Sequence, residues 1–279
     1  MTTLLLQAIT PVHVGDGTAV GSVDRPILRE RHTGWSTLPG SSLKGAARAW
    51  AERADRDADA IARIFGPDDS SAAGLVRFGP AVLLLAPVRA AKGGFLLLTC
   101  PLALARFARA AGLEAAVPTP GPDVALLAGK SADCVVPTRG VGDHVEGVVI
   151  LEDLAWPVRR DEAVGDWAAL LRQWLGDDAP MEHLCVVADD VFAHAARAWC
   201  GVRTRAAVDP TTGVVEEGKL FTIEAANPDT VWWCDLSMSL RLGDDLDPWS
   251  VLPPVGQAWT VGGGATYGQG RICWHRRQA

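Results

Sequence analysis

The sequence predicts an α+β fold, a sheet domain carrying helices and insertions. Two observations carry this. Short apolar runs bounded by glycine, proline or polar residues recur along the chain at strand length, and longer amphipathic runs of helix formers lie between them. No segment repeats at a fixed period, which sets aside solenoids and propellers. With 279 residues, 48% of them hydrophobic, the chain can bury a large core as one elaborated domain or two small ones.

Leu4 to Ile9 is a short apolar run that ends at Thr10-Pro11, as a strand entering a loop does. The loop PVHVGDGTAVGSVDRP is rich in glycine and carries His13, Asp16 and Asp24. In LPGSSLKGAARAWAERA, Ser41 or Ser42 can cap a helix on which Leu43, Ala47, Trp50 and Ala54 share one face. Lys44 and Arg48 share another face, one turn apart. A second helix through residues 60–65 stops at Gly66-Pro67. LVRFG (75–79), AVLLLAP (81–87) and GFLLLTC (94–100) read as strands, and Pro101 starts a helix reaching to about Gly112.

From 113 to 143 the glycine, proline and alanine content predicts an irregular insertion rather than continuous core. HVEGVVILEDLAW (144–156) is a strand candidate, and DEAVGDWAALLRQWL (161–175) is an amphipathic helix. HLCVVADD (183–190) is a buried strand running into a helix around DVFAHAARA. RTRAAVDPTTGVVEEGKLFTIE has the shape of a projecting β-hairpin with DPTTG at its tip. VWWCDLSMSL (231–240) alternates with the period of a half-buried strand, and GGGATYGQGRICWH ends in another.

A balance of 26 basic against 33 acidic residues, net −7, argues against a free-standing nucleic-acid binder. The carboxylates, however, fall largely in separate runs (DRDAD at 55–59 and four Asp-Asp pairs), which leaves basic patches elsewhere. Six scattered cysteines without CxxC or ligand-like spacing indicate neither zinc nor a disulfide framework, as expected in a reducing cytoplasm. The start MTTLLLQAITP lacks a basic leader, and no run has the length of a membrane span, so a cytoplasmic protein with no membrane partner is expected.

Few motifs carry chemistry alone. His13 and Asp24 share a loop without a third metal ligand at fixed spacing, and there is no HExxH, nucleophile elbow or compact acidic triad. The closing VGGGATYGQG can be a tight turn or a backbone surface that lets phosphate approach closely, and it is not a Walker loop. These residues by themselves reach no further than an α+β protein able to bind a polyanion.

Taken in order, PVHVGDG, VDRPILRERHTG, LPGSSLKGAARAW, RIFGP, LLLAPVRAAKGGFLLLTCPLALARF, RTRAAVDPTTGVVEEGKLFTIEAANPDT and VGGGATYGQG resemble the backbone subunits of the type III-B CRISPR Cmr effector, within the RAMP superfamily. The resemblance implies a single ferredoxin-like, RRM-type palm over 1–279, an insertion at 113–143 and a hairpin thumb at 202–219. It also implies partners: a CRISPR guide RNA, a complementary target RNA, further copies of the chain in a filament, and other Cmr subunits. The implied activity is metal-dependent cleavage of the target at regular intervals, with Mg or Mn as the cation and a loop aspartate matching Asp24 as metal-binding and catalytic residue. His13 and Glu224 are lesser catalytic candidates. The implied RNA contacts are Ser41, Ser42, Lys44, Arg48, Arg203, Arg205, Gly263, Gly264, Tyr267, Gly268 and Gln269, where a lysine is the more usual residue at the last position. A non-cleaving structural RAMP subunit and a small-molecule enzyme with a glycine-rich anion site are the alternatives.

Overall fold

Leu4, Leu5 and Leu6 are consecutive and all fully buried, so the strand that carries them must be covered on both faces and flanked on both edges. In the computed structural model this is β1 (Thr2–Ala8). The structure describes every residue except 16, 18–22, 70, 130–133, 138–146, 210, 240–245 and 278–279. β2 (Thr37–Leu38), α1 (Gly40–Arg53), α2 (Ala58–Phe65) and β3 (Val76–Phe78) follow, then the long β4 (Ala81–Ala90) and β5 (Gly94–Thr99). The middle holds α3 (Pro101–Ala111), β6 (Ala125–Leu127), β7 (Val148–Leu151), β8 (Leu154–Arg160), α4 (Glu162–Leu175), β9 (Leu184–Val186) and α5 (Asp189–Ala198). The chain closes with β10 (Gly201–Val208), β11 (Val215–Ala225), β12 (Val231–Met238), β13 (Trp259–Thr260) and β14 (Arg271–His275).

The strands form a twelve-stranded sheet and a separate two-stranded ribbon, β10–β11. One part of the large sheet runs β13-β14-β1-β12-β4, antiparallel at every step. The other part runs β4-β5-β9-β6-β8-β7 and returns to β4 through Ala90 opposite Leu151, closing into a barrel-like ring. β4 belongs to both parts: Val82, Leu83 and Leu85 pair with β12, and Ala86 to Ala90 pair with β5. A register shift between its β12 partners Val231 and Trp232 lets the strand bend from one part into the other. It runs on through Pro87, past the end expected there, because β5 alone flanks it at that point and an unpaired edge tolerates proline.

Most elements lie where hydrophobic period and punctuation put them, and the differences have physical reasons. HVEGVVILEDLAW is two strands rather than one: β7 and β8 turn tightly at Glu152-Asp153, with Glu152 at φ 50°. Ser41 and Ser42 lie inside the first turn of α1 and do not cap it; Pro39 is the cap residue, placed by β2 ending at Leu38. The 113–143 stretch is not wholly irregular. Ala125, Leu126 and Leu127 are fully buried as β6 between β8 and β9, and the Trp167 indole of α4 donates to the Ala116 carbonyl at 2.8 Å. Among the described residues no helix is long and apolar enough to cross a membrane.

Candidate functional site

Segments from three distant parts of the sequence converge at the ribbon. The loop after β1 bridges the end of β11 (Val12 opposite Ala226) and the closing loop (His13 opposite Gly263). The stretch 24–29 then threads between that loop and β11: Gly15 opposes Ile27, and Arg25 runs parallel to Ile223. Backbone bonds fix the path, with Arg25 N–H donating to the Thr222 carbonyl at 3.0 Å and Glu224 N–H to the Arg25 carbonyl at 3.0 Å. Gly262 lets the closing loop pass this close, because its φ of 80° suits glycine and a Cβ there would collide with the His13 carbonyl.

The result is an open cleft of about 510 Å³ whose wall includes His13, Gly15, Asp24, Arg25, Gly262 and Gly263. Asp24 is exposed and held from one side. Its Oδ2 accepts from the Thr222 amide at 2.7 Å and from the Thr222 hydroxyl at 2.9 Å, and its own amide donates to Thr222 Oγ1 at 3.0 Å. The Thr222 amide, and then the hydroxyl, hold the Asp24 carboxyl below the usual carboxylate range, with Arg25 adding to the effect. No bond within the described residues goes to Oδ1. His13 Nδ1 lies 2.7 Å from the Glu224 carbonyl oxygen, and since a carbonyl only accepts, Nδ1 carries the proton. Nε2 makes no hydrogen bond among the described residues, and in the tautomer with the proton on Nδ1 alone it is an acceptor.

Glu224 differs from these two. It is 7% exposed; its Oε2 accepts from the Ile27 amide at 3.0 Å and its Oε1 pairs with the Arg29 guanidinium. Arg29 also donates to the carbonyls of Gly34 and Ala196, at 3.0 and 2.7 Å. Both carboxylate oxygens of Glu224 are engaged, and it braces the 24–29 stretch.

The expected RNA-contact residues divide in the same way. Arg203 and Arg205 pair with Ile223 and Phe221 across the ribbon, and so share a face with them. Arg205 stacks its guanidinium 3.6 Å from the centre of the exposed Tyr267 ring, and Arg25 lies 4.2 Å from that of Phe221. The base of the ribbon is thereby tied to the closing loop, where Gly263 and Gly268 are exposed and Gly264 is half-buried. Gln269 differs from these. It is 3% exposed, its side chain tucked beneath Gly264, so it does not reach the surface.

Ser41, Lys44 and Arg48 line a separate cleft of about 550 Å³ with Gly40, Asp68 and Arg77. There Arg48 is occupied: it pairs with Glu52 at 2.8 Å and with Asp68, and donates to the Gly66 carbonyl at 2.9 Å. Lys44 has no hydrogen-bond or ion-pair partner among the described residues. Ser42 is half-buried on the same first turn.

Among the described residues no three His, Cys, Asp or Glu side chains gather as a metal cage. One carboxylate with a free oxygen beside one imidazole suits a hydrated cation that shares a substrate phosphate, and does not suit an ion held by protein ligands alone.

Residues 5–273 match the RAMP superfamily. This chain belongs to that superfamily. The CRISPR system Cmr endoribonuclease Cmr4 of Pyrococcus furiosus is 31% identical over 287 residues, spanning 96% of this chain and 92% of that protein. The crystal structure of oligomeric Cmr4 from the same organism superposes with a TM-score of 0.73 at 25% identity, covering 100% of this chain and 99% of that one. The type III-B Cmr-beta complex bound to cognate target RNA contains a chain with a TM-score of 0.74 and 19% identity, covering 98% of this RAMP chain and 96% of that one, a likeness of fold. Sequence reasoning without this kinship missed Thr222; a threonine on a hairpin gives no local signal.

Proposed function

We propose that this chain is the repeated backbone subunit of a type III-B CRISPR effector, and that it cuts target RNA paired to the guide. The backbone role rests on kinship with Cmr4 over nearly the whole chain. Its partners in this reading are a guide RNA, a target RNA, further copies of itself and other Cmr subunits. The palm is read as a ferredoxin-like domain spanning 1–279, because β14-β1-β12-β4 is an antiparallel row with α1 joining β1 to the strands beyond. The ribbon centred on 202–219 is read as the thumb. Lys44, Arg203, the Arg205–Tyr267 stack and Gly263 are the proposed RNA contacts, suited to phosphate and base faces rather than base edges.

The cutting role rests on one observation: an exposed, ionised carboxylate is held at the base of the thumb, in a cleft with the His13 imidazole and Arg25. In the proposed reaction the 2′-hydroxyl attacks its neighbouring phosphate, the P–O2′ bond forms as P–O5′ breaks, a cyclic phosphate remains on one product, and the departing 5′-oxygen takes a proton from solvent to leave as a hydroxyl. Asp24 is acceptor-only, so it orients the attacking hydroxyl or holds the hydration shell of a cation rather than donating a proton. In this reading Nε2 of His13, which lines the same cleft, accepts the hydroxyl proton. The Arg25 guanidinium favours the negative charge that grows on the phosphate. When bound through Asp24 and substrate, Mg²⁺ or Mn²⁺ would supply further stabilisation of that charge.

The test is electrophoresis of a labelled complementary RNA incubated with the guide-loaded complex and Mg²⁺ or Mn²⁺. Asp24→Asn keeps the shape and removes the charge, so evenly spaced products should fall by roughly 100-fold or more while guide and target binding persist. His13→Ala should slow cutting less, and Glu224→Ala should act through stability. Undiminished periodic cutting by D24N would make Asp24 structural and favour a subunit that only holds RNA.

A further inference from the structure

We infer that Thr222 is a positioning residue for target cleavage, and that it couples the orientation of the Asp24 carboxylate to the thumb. This rests on the reading of Asp24 given above. Three of the hydrogen bonds made by Asp24 converge on this one residue: Thr222 N to Oδ2 at 2.7 Å, Thr222 Oγ1 to Oδ2 at 2.9 Å, and Asp24 N to Thr222 Oγ1 at 3.0 Å. The hydroxyl uses both its capacities, donating its single proton to the carboxylate and accepting from the Asp24 amide. A threonine hydroxyl in this position fixes both the backbone of residue 24 and the rotation of its side chain.

The consequence follows from where each residue sits. Asp24 is exposed, and every side-chain hydrogen bond its carboxylate makes among the described residues goes to Thr222. Thr222 lies on β11, opposite Thr204 of β10, so its position is set by the ribbon. With Oδ2 committed to Thr222, Oδ1 is the oxygen left without a partner among the described residues. Carboxylate orientation thus depends on the register of the thumb strand against residue 24, and the backbone bonds from Arg25 to Thr222 and from Glu224 to Arg25 hold that register. A thumb displaced by bound RNA would carry the carboxylate with it. Misplacing a reacting group by about 1 Å can cost on the order of 100-fold in rate, so a hydroxyl that prevents this has leverage without touching the substrate.

Thr222→Val is the decisive variant, because valine keeps the β-branched shape that suits a strand and removes only the hydroxyl. In guide-loaded complexes, single-turnover cutting of paired target should fall roughly 10- to 100-fold while target affinity stays unchanged, a loss in rate rather than binding. Thr222→Ser restores the hydroxyl and should recover most of the rate. Full activity in T222V, or failure of T222S to recover where T222V is impaired, would overturn the inference. Asp24→Asn run in parallel separates the two failures: an inactive D24N with a fully active T222V removes Thr222 alone, whereas an active D24N removes the reading on which it rests.

Discussion

Burial alone would push the Glu30 carboxyl up, yet the paired hydrogen bonds from Arg106, both at 2.8 Å, with help from the Thr33 hydroxyl, hold it below the ordinary range. The pair ties the end of the 24–30 stretch to α3. A carboxyl depressed in the folded state contributes stability above its ordinary value of 4.5 and loses it as pH falls through the folded value. Chemical denaturation should therefore show stability falling below about pH 4.5, and Glu30→Gln should flatten that fall. At neutral pH the same variant should cost roughly 1 kcal/mol, a figure discounted for the solvent that reaches the pair. Glu30 and Glu224 are each engaged by an arginine, Arg106 and Arg29, a pairing that no local sequence pattern announces.

At the scale of elements, the β10–β11 ribbon pairs only with itself along its outer part, while its base is bonded to the 24–25 stretch and stacked on Tyr267. Val214 is 64% and Leu220 63% exposed, so the outer half has little apolar contact to hold it. Hydrogen exchange on the RNA-free chain should be fast over the tip, residues 209–215, and slow over 223–226, with the tip slowing when guide RNA is loaded. Strong protection of the tip in the free chain would remove the thumb reading. The hairpin was legible because strand-forming residues flank DPTTG, whose Asp209 carboxylate accepts from the Thr211 amide at 2.7 Å as the turn requires. β6 was not legible. Three apolar residues among glycine, proline and alanine carry no period, and only the gap between β8 and β9 makes them a strand.

For the whole molecule, in the proposed role a chain of net charge −7 offers RNA few contacts per copy, and repeated copies along one strand supply the rest. Lys44→Ala should weaken RNA binding and reduce the log–log salt slope by about one per copy, as loss of a phosphate contact does. Arg48→Ala should instead lower thermal stability, because it releases Glu52, Asp68 and the Gly66 carbonyl together. A salt slope unchanged in the lysine variant would take Lys44 out of the interface.

Local chemistry determined much by itself: α2 ends at Gly66 and α3 at Gly112, the latter left-handed at φ 63°, and β12 buries alternate residues, because capping and side-chain period act over a few neighbours. The same order of segments carried the resemblance to the RAMP superfamily. What only the tertiary structure decided is which side chains are free. Asp24 meets Thr222 across a sequence separation of 198, Arg29 neutralises Glu224 across 195, and Gln269 is buried while Tyr267 is not. Partners brought together by sheet register lie beyond the reach of local pattern, and a charged residue becomes a brace or a reagent according to whether such a partner has already taken it.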